Sequence, residues 1–108
     1  MEKVEFLILR NLLYNEEYAR KVIPFLKPDY FEDTSQKIIF EEISKFIDEY
    51  NKLATKEILC IEVENRKDIN DSSFKEVVEI IQNLDDVSSE FEWIIDTTEK
   101  WCRDRAIY

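Results

Sequence analysis

Apolar residues recur along the chain at helical rather than strand spacing. The opening segment predicts a first helix over 2–13, because Val4, Phe6, Leu7, Ile8, Leu9, Leu12 and Leu13 leave only Glu5, Arg10 and Asn11 for water. Such a helix is expected to be buried on nearly all sides. A second helix is predicted over 15–23 and must stop near Pro24, whose ring clashes with the preceding turn and lacks a backbone donor. Pro28 then opens a short turn through Asp29, Tyr30 and Phe31.

Asp33 or Thr34 caps the third predicted helix, in which Ile39, Ile43, Phe46, Ile47 and Tyr50 share one face. Thr55 is expected to cap a fourth, carrying Ile58, Leu59, Cys60, Ile61 and Val63. Its β-branched residues would also suit a strand, but no partner strand is in sight. Capping boxes, Ser73 with Glu76 and Ser89 with Glu92, predict the starts of helices five and six. Phe74, Val77, Val78, Ile81 and Leu84 line one face of the fifth; Phe91, Ile94, Ile95, Thr98 and Cys102 do so on the sixth. The sixth reaches Tyr108 without a stop signal, as a domain cut from a longer protein would. These readings add up to an all-α bundle of about six short helices in a single domain over 1–108, with no internal repeat.

Composition narrows the function. The chain contains no glycine, where ordinary usage of about 7% would give roughly seven or eight. That removes the phosphate loop, the dinucleotide fingerprint and the nucleophile elbow, each of which needs glycine for positive φ or close backbone approach. Histidine is absent as well, and with it the usual general base near neutral pH and the commonest metal ligand. A non-catalytic chain with no cofactor or metal of its own is expected. The net charge of −10, from 25 acidic against 15 basic side chains, repels a phosphate backbone. Direct nucleic-acid binding is therefore not expected, whereas a partner offering a basic patch is compatible. No apolar run is long enough for a membrane span, and Glu2, Glu5 and Arg10 interrupt the first stretch, so a cytoplasmic protein is expected. Cys60 and Cys102 read as buried, reduced thiols.

Two constellations imitate chemistry without supplying it. Asp68, Asn70, Ser72 and Glu79 have the spacing of a calcium loop, but Ser73 stands where the sharp turn needs glycine and Lys75 where an apolar residue belongs. Adjacent acids such as Glu41 with Glu42, or Asp85 with Asp86, point in different directions on a helix and read as solvated surface.

A second feature of the sixth helix bears on partners. Trp93, Thr97, Trp101, Asp104 and Tyr108 follow one another at steps of three or four, apart from the core stripe. Either both tryptophans complete the domain's own core, or this face meets another chain, where Trp and Tyr are enriched. The candidate interface is Trp93, Thr97, Trp101, Arg103, Arg105, Ile107 and Tyr108.

The order of several short words is also informative. Leu12, Leu13, Tyr14, Asn15, Glu16, Glu17 and Tyr18, then Asp29, Tyr30 and Phe31, then Gln36 to Ile43 with its Ile39–Phe40 pair, resemble the opening of DnaB-type replicative helicases. Residues 98–107, with Arg103, Asp104, Arg105 and Ala106, resemble that family's segment leading into a helical hairpin. Gln36 stands where bacterial members usually carry a histidine, and Asn51, Lys52 and Leu53 where they carry a glycine-containing loop; both departures suit a phage branch of the family better than a bacterial one. The resemblance implies a helicase N-terminal, collar-type domain, whose last helix leads toward the hairpin. It implies as partners other subunits of a helicase ring and a primase or helicase loader. ATP and magnesium would then belong to a C-terminal ATPase domain absent from this chain. The competing expectation from the residues is a free-standing acidic phage adaptor or inhibitor that binds a host protein.

Overall fold

The computed structural model describes residues 3–87 and 89–106. Among them are the α-helices α1 (Val4–Tyr14), α2 (Glu16–Val22), α3 (Thr34–Tyr50), α4 (Lys56–Glu64), α5 (Asp71–Gln82) and α6 (Phe91–Ala106), and no strand occurs among these residues. Two single-turn 3-10 segments, Ile23–Phe25 and Pro28–Tyr30, carry the chain from α2 to α3. The fold is all-α, as the spacing predicts.

α1 sits at the centre, against α2, α3 and α6, while α4 and α5 pack on α3 and on each other. Ile8, Leu9 and Leu12 lose all contact with solvent. Burial of α1 goes further than the pattern implies, because Arg10 and Asn11, assigned to water on their polarity, are enclosed too. Asn11 has a place there because its amide donates to the Leu7 carbonyl at 2.8 Å and to Ser89 Oγ at 3.1 Å. A buried amide without such partners would be costly.

Local chemistry explains where the helices begin. The side chains of Asn15, Asp33, Thr55 and Asn70 each accept from the backbone N–H three residues on, at the starts of α2, α3, α4 and α5. The helical reading of 55–63 is right, and burial shows why: Leu59 and Val63, one turn apart, face the core, whereas Ile61, which a strand would bury beside them, is 53% exposed.

The two predicted capping boxes are corrected. α5 begins before Ser73, which supplies only a backbone N–H to the side-chain oxygen Oδ1 of Asn70 at 2.8 Å. At α6 the cap is Glu90, whose carboxylate accepts from the Trp93 N–H at 2.7 Å, while Ser89 accepts from Asn11. In each case another side chain is the acceptor at the helix start, Asn70 three residues before Ser73 and Glu90 directly after Ser89, and Ser89 has a tertiary partner that no local motif reveals. α3 ends at Asn51 with φ of 55°, the left-handed conformation that asparagine tolerates better than most residues other than glycine. Arg20 holds this turn by donating to Asn51 Oδ1 and to its carbonyl.

The calcium-like spacing is absorbed by structure. Asn70 is a cap, and Asp68 receives two hydrogen bonds of 2.9 Å from Arg66. No cluster of three or more metal-ligating side chains occurs among the described residues. Arg66 also reaches Glu42, whose side chain is 5% exposed, at 2.7 Å, and Glu41 at 3.2 Å. One guanidinium thus neutralises a buried carboxylate on α3 and ties down the loop after α4. No described helix is long and apolar enough to cross a membrane.

The cap assignment has a direct test. Asn70→Ala is expected to destabilise the chain by about 1 kcal/mol in urea denaturation, whereas Ser73→Ala is expected to be nearly neutral. The reverse order would restore the capping box at Ser73.

Candidate protein-interaction site

α6 is positioned by a buried polar bond and an aromatic cluster. The Tyr18 hydroxyl and Thr98 Oγ1 lie 2.7 Å apart in the core, and Thr98 also donates to the Ile94 carbonyl. Burial pushes the Tyr18 phenol well above its ordinary range, with the Thr98 hydrogen bond opposing that shift. The group therefore stays protonated and serves as a fixed tether between α2 and α6.

Trp101 belongs to the same anchorage. Its indole is 6% exposed, stands 5.0 Å from the Phe31 ring and meets Tyr30 edge-on at 6.2 Å. Trp101 Nε1 donates to Glu5 on α1 at 2.9 Å, so the polar edge of the ring is satisfied. Arg105 closes the cluster, its guanidinium 4.2 Å from the Trp101 ring centre while it donates to the Tyr30 carbonyl at 2.9 Å and to Glu5 at 3.4 Å.

The stripe proposed for the sixth helix therefore divides. Trp101 and Arg105 are engaged within the domain, as one of the two alternatives for the tryptophans requires for Trp101. Trp93 is 51% exposed, Thr97 is half-buried and Arg103 is exposed. Ile107 and Tyr108 lie outside the described residues. Helix geometry gives the reason: at roughly 100° per residue, a stripe at steps of four drifts by about 40° each time. Trp101 thus lies about 80° around the axis from Trp93 and enters the core, whereas Lys100 and Asp104 stay within about 20° of Trp93. On the face α6 presents to solvent, Trp93 is flanked by Thr97, Lys100 and Asp104, the last two exposed, with Asp96 and Arg103 exposed beside them.

Beside this face, Phe25, Tyr30, Cys102, Arg103 and Ala106 border an open cleft of about 320 Å³. Cys102 is buried at its edge, as expected, but Cys60 is only half-buried, which corrects the reading of both thiols as core residues. Gln82 approaches the Cys60 sulfur at 4.0 Å. Both thiols have raised pKa values through burial, Cys102 up to about 11. Neither is activated for nucleophilic work.

Sequence reasoning missed Glu5 as the acceptor that seats Trp101, and the Tyr18–Thr98 pair. Both join positions far apart in the chain. A polar residue inside an apolar stripe, as Glu5 and Thr98 both are, is the one signal that could have marked them.

The division predicts unequal effects on stability. Trp101→Ala is expected to cost about 3–5 kcal/mol and Trp93→Ala less than about 0.5 kcal/mol, read from urea unfolding followed by circular dichroism. Equal losses would mean that Trp93 also supports the core. A raised thiol pKa favours the neutral form in the fold, so the contribution of Cys102 is present below its ordinary value of 9.0 and lost as pH climbs toward about 11. The stability advantage of wild type over Cys102→Ala is expected to shrink across that window, measured by the urea midpoint.

The sequence model of the DnaB-like helicase N terminal domain matches residues 1–95. A DnaB-like replicative helicase of Enterobacteria phage T4 is 28% identical over 102 residues, which cover 94% of this chain and 21% of that relative. The chain thus spans about a fifth of the length of the curated relative it matches.

Proposed function

The chain belongs to the DnaB-like helicase N-terminal domain family, whose domain is non-catalytic, and from that premise we propose that it serves assembly and docking in a phage replicative helicase. It joins helicase subunits in a ring and offers primase or a helicase loader a place to bind. The observation that carries this reading is Trp93, a large aromatic residue half exposed on a helix whose other tryptophan is sequestered. Buried Trp is among the commonest anchors of protein interfaces, and leaving it in water wastes its apolar area. Thr97, Lys100 and Asp104 give the surrounding polar rim, and Arg103 extends the surface toward the apolar cleft. Trp101 and Arg105 act in this reading as the base that holds α6 rigid.

The ATP and magnesium chemistry of the whole helicase is assigned to a separate C-terminal domain. In support of that division, the chain has no glycine for a phosphate loop of the kind that wraps a triphosphate. The charge of −10 likewise turns this domain toward proteins rather than DNA.

The test is association of the purified chain with itself and with primase from a related phage, followed by sedimentation velocity. Trp93→Ala is expected to weaken association at least tenfold while leaving the unfolding midpoint unchanged. Unaltered association in that variant would remove α6 from the interface, and a chain that binds neither itself nor primase would end the docking proposal.

A further inference from the structure

A second surface shares no residue with the α6 face. Between the segment leading out of the first 3-10 turn and the outer side of α3 lies an open groove of about 540 Å³. Its apolar floor is formed by Leu26, Pro28 and Phe40. Leu26 and Phe40 are 6% and 2% exposed, so the floor is continuous with the domain core and rigid rather than a collection of loose side chains.

The wall along α3 is charged and asymmetric. Glu41 stands at one end of the groove and Asp48 and Glu49 at the other, with Lys45 as the one cation lining it. Glu41 shares Arg66 with Glu42 and Asp68, so its charge is partly answered. Asp48 and Glu49 are exposed, and neither has an ion pair among those resolved between described residues. Glu41 and Asp48 are seven residues apart on one helix, a separation of about 10 Å. The groove is thus about two helical turns long, apolar beneath and negative at its ends.

We propose that this groove receives a basic amphipathic helix from a partner protein, with an apolar side chain over Leu26 and Phe40 and Lys or Arg residues about two turns apart meeting Glu41 and the Asp48–Glu49 end. Two physical arguments select that occupant. A helix laid along a groove places its anchors at the same period as the α3 wall it faces. Carboxylates beside a low-dielectric floor attract cations more strongly than the same carboxylates on open surface, and they repel a second copy of this acidic chain. The inference rests on the groove alone and stands or falls separately from the α6 interface.

The probe is a synthetic helical peptide with a Leu anchor and two Arg residues seven positions apart, titrated into the isotope-labelled chain and followed by backbone amide NMR shifts. Shifts concentrated on Leu26, Phe40, Ser44 and Asp48, and at least tenfold weaker binding at 0.5 M salt than at 50 mM, are expected. Shifts scattered over the acidic surface would overturn the proposal, as would equal affinity for a peptide with Gln in place of both Arg. Two surface variants separate groove from charge. Ser44→Trp fills the groove without altering charge, and the Asp48→Lys, Glu49→Lys pair reverses the charge without filling it. Each is expected to reduce affinity at least tenfold with an unchanged circular dichroism spectrum, and wild-type affinity in either correctly folded variant would refute the site. Should Ser44→Trp fail to fold, the charge-reversed variant decides the matter.

Discussion

The enclosure of α1 is the constraint on which the structure turns. A helix packed against α2, α3 and α6 has little water-facing surface for an unpaired polar group, so Asn11 and Glu5 draw on partners from distant chain. Asn11 obtains one from Ser89, and Glu5 from Trp101 and Arg105. These bonds span most of the sequence and close the fold, because the element before α6 and α6 itself must come back to α1 to make them. The hydrophobic stripe supplies the drive to collapse, but it is non-directional. The polar groups inside it fix which helix lies where.

That arrangement also prepares the surface. Tyr18–Thr98 and the Trp101 cluster hold α6 at two places along its length, one from α2 and one from α1 and the second 3-10 turn. A helix fixed at two points presents its remaining face in a set orientation, and ordering it on binding then costs little entropy. Arg66 plays a similar part on the far side, where one guanidinium draws Glu41, Glu42 and Asp68 together and steadies the wall of the groove along α3. Burial of Glu42 without that cation would leave an uncompensated charge.

A domain of this family that does no chemistry needs rigid, recognisable faces rather than a reactive centre. The perturbed groups agree with that economy: the Tyr18 phenol and the Cys102 thiol are held neutral by burial, and neither lies beside a base that would activate it. The acid excess lies on the outside, where it shapes which partners approach.

Much of this was legible in the residues. The 3.6-residue period locates the six described helices, the caps Asp33 and Thr55 are recognisable by type, and the absence of glycine by itself rules out glycine-dependent phosphate loops. Local signals report local energetics, and helix formation is largely local. What they could not settle was competition between neighbours, as when Asn70 and Glu90 captured helix starts from Ser73 and Ser89. Nor could they separate Trp93 from Trp101, because a spacing of eight residues leaves an angle of about 80° that only the position of Phe31, Tyr30 and Glu5 converts into buried or exposed. The sequence by itself determined which segments are helical and that no glycine-dependent loop occurs; the tertiary structure decided which polar groups are enclosed and which aromatic ring remains exposed, because burial depends on atoms brought together from opposite ends of the chain.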